Sequence, residues 1–189
     1  MEVRVMKNKG ILLLTALTVL LVSFSCSQKQ GKLVLSPEAG PKNVILIIGD
    51  GMGPEQVGLL LTYARQAPHS VISDQTTCFD RMMDKDGSLG ISLTHANDVL
   101  VTDSAASGSQ LATGQFSGSE MIGLNFRGDP VPTVIEKAIQ AGKSTGLVSD
   151  TRVTHATPAA FAAHQPHRRM ENAIALDMLA TGPDVILGG

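Results

Sequence analysis

Residues 43–66 read NVILIIGDGMGPEQVGLLLTYARQ, and the order of their patterns predicts the fold. The run 43–48 is continuously apolar and rich in β-branched side chains, which predicts a central strand covered on both faces. It ends at the glycine-rich turn GDGMG, and Pro54 then begins a segment with the apolar periodicity of a helix. A strand followed by a tight turn and a helix is typical of α/β proteins with parallel sheets.

The alternation of strand and helix patterns continues along the rest of the chain. One helix is predicted to start near Asp103 or Ser104 and to end before Gly114. The other helix patterns lie at 131–142, 158–164 and 171–180, and short strand patterns lie at 90–94, 144–150 and 184–189. We therefore predict an α/β fold with a mostly parallel central sheet and helices on both faces.

The composition of the chain excludes some classes of function. The 189 residues carry a net charge of -2, with 17% charged and 3% aromatic side chains and no long run of either sign. No basic patch of the kind that binds nucleic acid stands out, and few aromatic rings are available to stack on bases. We expect one globular domain without specific nucleic-acid binding. Cys78 has no obvious partner and is interpreted as a buried small side chain.

The first 26 residues differ from the rest and are predicted to form a signal peptide. Lys7 and Lys9 precede an apolar stretch, residues 11–22, which is short for a transmembrane helix. Cys26 stands where a lipoprotein signal is cut and its cysteine acylated, and the alternative is plain cleavage nearby. We predict export to the periplasm or cell envelope with a lipid anchor at Cys26, the divisions of the chain being 1–26 (signal peptide), 27–41 (linker) and 42–189 (folded domain).

Asp50 and Ser104 are candidate functional residues at predicted element ends. Asp50 lies between two glycines directly after a predicted strand, which suits a metal ligand, and the alternative is a turn aspartate bonded to its own backbone. The glycine spacing around it is a weak signal for dinucleotide binding. Ser104 lies at a predicted helix start, where free N–H groups and the helix dipole favour a phosphate, and the alternative is a simple helix cap. No G-x-S-x-G turn surrounds it, so a metal is the better candidate for its activation.

A third segment, residues 151–157, follows another predicted strand and should meet Asp50 at the carboxyl edge of the sheet. Within it, His155 and Thr157 offer an imidazole nitrogen and a hydroxyl oxygen to one ion. A pair of arginines follows at 168 and 169, and a guanidinium suits phosphate oxygens because it can donate two parallel hydrogen bonds. Taken singly, each of these residues is more often part of an ordinary surface or core.

Three motifs together resemble the alkaline phosphatase family in their order and separation. They are IIGDGMG at 47–53, VTDSAASGSQLATG at 101–114 and THATPAAFAAH at 154–164. The resemblance covers about residues 42–189 and makes them the N-terminal part of a catalytic domain. It implies hydrolysis of phosphate monoesters in an enzyme that is commonly a homodimer.

The resemblance also implies a metal-dependent mechanism. Ser104, deprotonated on a zinc ion, would attack phosphorus and become a phosphoserine, which a water on a second zinc would hydrolyse. By the family pattern Asp50 bridges one zinc and a magnesium site, and His155 and Thr157 complete part of the magnesium site. The implied cofactors are two Zn²⁺ and Mg²⁺. Arg168 matches the arginine that holds two phosphate oxygens, with its neighbour Arg169 as the alternative if the register slips by one.

The sequence departs from the family pattern in two respects. Some bacterial members carry Asp where this chain has His155, which leaves the third-site ion open between magnesium, zinc and another divalent ion. The family draws its remaining metal ligands from a long C-terminal portion, whereas this sequence stops at Gly189. We therefore expect a fold that is incomplete at its C-terminus, and a chain that by itself is inactive or weakly active.

Two alternative functions stay open. The first is a truncated, non-catalytic remnant that keeps a phosphate- or metal-binding cradle at Ser104. The second is a phosphodiesterase or sulfatase of the same superfamily, where the nucleophile is usually Thr or a modified Cys. The DSAAS context of Ser104 argues against the second alternative.

Overall fold

The structure is a computed structural model that describes residues 41–85 and 87–189. The predicted signal peptide, the anchor site Cys26 and all but the last residue of the predicted linker lie outside the described residues. The chain divides after Ile47 into two units, and the second contains every named helix and strand. In chain order these are α1 (Pro54–Gln66), α2 (Cys78–Asp84), α3 (Ser104–Thr113), α4 (Val134–Gln140), β1 (Gly146–Val148), α5 (Ala156–Ala159), α6 (Glu171–Thr181) and β2 (Val185–Leu187).

The two strands form a short parallel sheet. Strands β1 and β2 pair in a register that places Leu147 opposite Ile186. These two side chains are partly buried and pack against the core, whereas Val148 on the other face is exposed. Parallel strands need a long connection, and here that connection contains α5 and α6. The predicted α/β class with a parallel sheet is therefore confirmed.

The core is built largely from small side chains. Ala105 of α3 and Ala159 of α5 are fully buried in one cluster with Ile122 and Ile174. A Cβ on Gly108 would lie 3.1 Å from the Cβ of Ala160, so the glycine lets α3 and the segment after α5 approach closely. The rich content of Ala, Gly and Ser in these motifs therefore serves close helix packing, and it also holds the start of α3 near the start of α5.

Several helix boundaries follow from capping groups in the sequence. Helix α3 begins after Asp103 and ends before Gly114, whose φ of 74° is left-handed. Helix α4 begins with a capping box in which Thr133 and Glu136 bond each other's backbone N–H groups. Helix α2 was not predicted, although Thr77 and its partner at 80 form the same kind of capping box.

Four expectations about the fold are wrong. Within the described residues, neither 43–48 nor 90–94 forms a strand, and Ile45 and Ile91 are 85% and 95% exposed. A strand forms only where a neighbour bonds its backbone, and the described chain gives these apolar runs no such neighbour. In place of the helix predicted at 158–164 the structure has the shorter helix α5, Ala156–Ala159. Cys78 is exposed at the start of α2 instead of buried.

Within residues 41–85 and 87–189, no helix combines the length and the apolar character needed to cross a membrane.

Candidate active site

The carboxylate of Asp50 lies between two hydroxyl groups from distant parts of the chain. Ser104 Oγ donates to Oδ1 at 3.1 Å, and Thr157 Oγ1 donates to Oδ2 at 3.0 Å. A turn closed by the hydrogen bond from Met52 N–H to the Gly49 carbonyl, 3.0 Å, holds Asp50 just before α1. The structure therefore brings the glycine turn, the start of α3 and the start of α5 to one point. The meeting of Asp50 with the segment 151–157 was predicted from the sequence, whereas the contact with Ser104 was not.

Ser104 is the first residue of α3, but the N–H groups that follow it are not free. The side chain of Asp103 accepts hydrogen bonds from the N–H of Ala105 at 2.9 Å and of Ala106 at 3.3 Å. This differs from the expectation that free backbone N–H groups at this helix start would hold a phosphate. A capping carboxylate occupies them, so positive charge for an anion at Ser104 has to come from a group other than these N–H groups.

Arg168 brings that positive charge. Its Nη1 donates to Asp103 Oδ2 at 3.0 Å, and its Nη2 lies 3.3 Å from His155 Nε2. A guanidinium has no acceptor atom, so this contact needs an unprotonated Nε2 and a hydrogen on Nδ1 of His155. Arg169 bonds His167 Nδ1 through its backbone N–H, at 3.2 Å. The structure thus places the Arg168 guanidinium beside Asp103, the residue that caps α3.

The electrostatics of Asp103 keep this pair ionised. Partial burial raises the pKa of Asp103, but hydrogen bonds from the N–H groups of Glu120, Ala105 and Ala106 and from the Arg168 guanidinium outweigh it. The pKa of Asp103 therefore lies below its ordinary value. A charged Asp103 holds the guanidinium next to the nucleophile candidate, and about a fifth to a quarter of each side chain is exposed.

The segment that carries Arg168 is tied to the segment 120–123. Ile122 and Gln165 exchange backbone hydrogen bonds of 2.9 and 3.0 Å. One ring nitrogen of His164, Nδ1, lies 2.8 Å from the Gly123 carbonyl oxygen, and the other lies 3.0 Å from Glu136 Oε1. Both ring nitrogens of His164 therefore face oxygen atoms, one from the backbone and one from a carboxylate. These contacts hold the loop between α5 and α6 in place.

Sequence reasoning missed two residues of this support, Glu120 and Glu136. Glu136 gives a local signal, because a threonine three residues before it marks a capping box. Glu120 gives none, since its segment has no periodicity and its role depends on contacts with residues 17 and 48 positions away. Only the folded chain reveals it.

The donor atoms around Asp50 fit one end of a divalent cation site. Its two carboxylate oxygens and the hydroxyl oxygens of Ser104 and Thr157 are hard ligands of the kind that Mg²⁺ prefers. His155 adds a nitrogen that suits zinc as well, although Arg168 contacts that nitrogen here. Across 41–85 and 87–189, no cluster of three or more His, Cys, Asp or Glu side chains forms a full ligand set.

Comparison with known sequences identifies relatives over most of the chain. The sequence profile of the alkaline phosphatase family matches residues 41–185. Alkaline phosphatase 4 of Bacillus subtilis is 38% identical over 156 residues, which cover 78% of this chain and 32% of the relative. The repressible alkaline phosphatase of Saccharomyces cerevisiae is 33% identical over 193 residues, covering 98% of this chain and 33% of the relative. This chain thus spans about a third of the length of these relatives.

Solved structures show the same similarity. The cold-active alkaline phosphatase of a psychrophilic Shewanella superposes with a TM-score of 0.65 at 39% identity, over 75% of this chain and 34% of that one. The alkaline phosphatase of the Antarctic bacterium TAB5 also gives a TM-score of 0.65, at 31% identity, over 77% of this chain and 39% of that one. The similarity in fold therefore accompanies clear sequence identity.

Proposed function

This chain belongs to the alkaline phosphatase family, and on this premise we propose that it contributes to the hydrolysis of phosphate monoesters through a phosphoserine at Ser104. It would supply the nucleophile, the phosphate-binding arginine Arg168 and part of the metal site. The observation that carries the proposal is the hydrogen bond of 3.1 Å between Ser104 Oγ and Asp50. It lies at the N-terminus of α3, where the capping carboxylate of Asp103 also bonds Arg168.

The first step follows from the position of the Ser104 hydroxyl. A bond forms between Oγ and phosphorus, the ester P–O bond breaks, and the alcohol leaves with the electron pair and takes up a proton. In the second step a water oxygen attacks phosphorus, the Oγ–P bond breaks, and inorganic phosphate leaves. Ser104 therefore ends each cycle as a free hydroxyl, ready to bond Asp50 again.

The hydroxyl needs more than Asp50 to become a nucleophile. A carboxylate is too weak a base to remove a proton from an alcohol, so the hydrogen bond orients Oγ without ionising it. A divalent cation bound at Asp50 would supply the positive charge that favours the ionised oxygen. We propose that Asp50 and Ser104 hold a zinc ion, and that Asp50, His155 and Thr157 hold part of a magnesium site.

Arg168 has the properties of a phosphate clamp. Its guanidinium carries five N–H donors, and the contacts with Asp103 and His155 engage two of its nitrogens. Donors remain for the oxygens of a phosphate placed at Ser104. Because charge builds up on those oxygens as the bonds change, a fixed guanidinium stabilises the transition state. Asp103 keeps it fixed by accepting its hydrogen bond.

The third-site ion is proposed to be magnesium. A variant of the TAB5 enzyme in which a histidine is replaced by aspartate is described with Mg bound in its M3 site. His155 of this chain stands where some bacterial members carry Asp. We expect the histidine to widen the choice of ion, because imidazole is a softer ligand than carboxylate.

Location and assembly are proposals that rest on the sequence. The pattern of Lys7, Lys9, the apolar run 11–22 and Cys26 supports export to the periplasm or cell envelope, with a lipid on Cys26. We also propose a homodimer, by similarity to the family. Cell fractionation tests the anchor: Cys26→Ser should move the protein from the membrane to the soluble fraction, and continued membrane association would contradict it.

The test of function uses the longest gene product that contains these residues. Zinc- and magnesium-loaded protein is assayed with a chromogenic phosphate monoester, and chelation by EDTA should abolish turnover. Ser104→Ala should abolish it as well. Ser107→Ala is the matched control, because its hydroxyl lies in the same helix and bonds the Asp103 carbonyl at 2.9 Å instead of Asp50.

The outcomes separate the three functions. Turnover that survives in Ser107→Ala and is lost in Ser104→Ala supports the proposal. Full activity in Ser104→Ala would show that the nucleophile assignment is wrong. Phosphate binding without turnover in the unmodified protein would favour the non-catalytic remnant, and a preference for a phosphodiester would favour the sister hydrolase.

A further inference from the structure

Glu120 has a backbone conformation that side chains rarely adopt. Its φ is 62°, in the left-handed region, and the only other non-glycine residue with a positive φ in the described ranges is Gln75 at 57°. This conformation is strained for an L-residue, so contacts elsewhere in the fold have to hold it. Such residues cluster at functional sites, where surrounding contacts fix them.

Three contacts converge on Glu120, and each leads to the candidate active site. Its backbone N–H donates to Asp103 Oδ1 at 3.0 Å. Its backbone carbonyl accepts from the Arg168 N–H at 2.8 Å. Its carboxylate lies 2.5 Å from His167 Nε2. One residue therefore joins the cap of the Ser104 helix to two consecutive residues of the arginine segment.

We propose that Glu120 is a positioning residue that sets the placement of Arg168 relative to Asp103 and Ser104. The left-handed turn lets the N–H bond one segment while the carbonyl bonds the other. The contact with His167 holds the turn in that conformation. The inference rests on the proposed function, because placement matters only if Arg168 binds the phosphate. It adds a residue from outside the three sequence motifs to the machinery of the site.

The contacts of Glu120 predict a small effect on stability and a larger one on the site. The side chains of His167 and Glu120 are 44% and 38% exposed, and half-exposed ion pairs contribute little to folding. Removing the side chain also relieves the left-handed strain. In contrast, a guanidinium displaced by a fraction of an ångström loses much of its transition-state contact. Stability and activity should therefore change in different directions.

The experiment compares Glu120→Gly, Glu120→Gln and Gln75→Gly in the longest gene product, loaded with zinc and magnesium. Glycine removes the side chain where the backbone is already left-handed. Glutamine keeps an oxygen that accepts from His167 and should rescue the site. Gln75→Gly is the matched control, because it relieves the same kind of strain at a residue whose N–H bonds the nearby Ile72 carbonyl.

Activity is measured per folded molecule, together with inhibition by inorganic phosphate and the midpoint of thermal unfolding. Glu120→Gly should lower kcat/KM about tenfold, mostly through kcat, and weaken phosphate inhibition, with a midpoint at or above that of the unmodified protein. Glu120→Gln should retain most of the activity, and Gln75→Gly all of it. If Glu120→Gly keeps kcat/KM within about twofold, or if Glu120→Gln is as impaired, the inference is overturned.

A second readout does not depend on catalysis. Hydrogen exchange of the peptide containing Arg168 should be faster in Glu120→Gly than in the unmodified protein, because the Arg168 N–H bonds the Glu120 carbonyl. It should be unchanged in Gln75→Gly. Equal exchange in all three proteins overturns the inference even if turnover is absent. Loss of the function itself is recognised separately, by inactivity of the unmodified protein.

Discussion

Gly123→Ala offers a sharp test of how the site is held. Gly123 is buried with a φ of 60°, and a Cβ there would lie 2.1 Å from the Ala163 carbonyl oxygen and 2.8 Å from His164 Nδ1. Real Cβ atoms essentially never approach closer than 3.0 Å, so the two segments have to separate by about 0.9 Å. That movement stretches the 2.8 Å contact between the Gly123 carbonyl and His164, which ties the arginine segment in place.

The magnitude comes from two separate costs. An alanine in the left-handed region costs about 1–2 kcal/mol, and overpacking against a fixed backbone costs about 1–3 kcal/mol more. Gly142→Ala isolates the first cost, because Gly142 has a φ of 68° and a Cβ added there would meet no atom within 4 Å. Gly123→Ala should therefore destabilise the protein by about 1–3 kcal/mol beyond Gly142→Ala.

Urea unfolding followed by circular dichroism measures both variants under the same conditions. The difference between their free energies of unfolding removes the shared backbone strain. An equal loss in the two variants would refute the reasoning. It would mean that the segments 120–123 and 163–165 can move apart without lowering the free energy of unfolding. A greater loss in Gly123→Ala supports the close approach of the two segments.

Two further predictions concern carboxylates that cap helices. Asp103→Ala removes the cap of α3 and the partner of Arg168, so unfolding in urea should show a loss of about 1–2 kcal/mol, and an unchanged midpoint would contradict the cap. Burial raises the pKa of Glu136, but bonds from the Thr133 N–H and His164 outweigh it and lower this pKa below the ordinary 4.5. The carboxyl of Glu136 therefore binds its proton more readily in the unfolded protein than in the folded one. Its contribution to stability is present at pH values above the ordinary pKa of 4.5 and is lost as the pH falls through the lower pKa of the folded protein. Glu136→Gln should flatten the decline in melting temperature from about pH 5 to about pH 3, and a decline as steep as in the unmodified protein would contradict the assignment.

The parts of the molecule that local signals encode could be predicted from the sequence. Asp103 and Gly114 mark the two ends of α3 because a carboxylate caps free N–H groups and a glycine accepts a left-handed φ. The expectation that Asp50 and the segment 151–157 lie close together also holds, since Thr157 bonds Asp50. It followed from the order of the elements, which sets the position of their ends.

The parts that depend on distant partners could not be predicted. The run 43–48 has every local property of a buried strand, yet pairing depends on a neighbour that local sequence does not specify. The N–H groups after Ser104 were expected to be free, because the bonds from Asp103 depend on its side-chain rotamer. The left-handed φ of Glu120 could not be predicted, because such a conformation is usually indicated by a glycine and this position is a glutamate.

The most direct test of the account is to locate the phosphoryl group during turnover. The longest gene product, loaded with zinc and magnesium, is mixed with a phosphate monoester, quenched in acid and digested, and the peptides are analysed by mass spectrometry. The account predicts one phosphoryl group on Ser104 that disappears once substrate is exhausted. Turnover with phosphate on another residue, or with no phosphorylated peptide in a rapid quench, would contradict it.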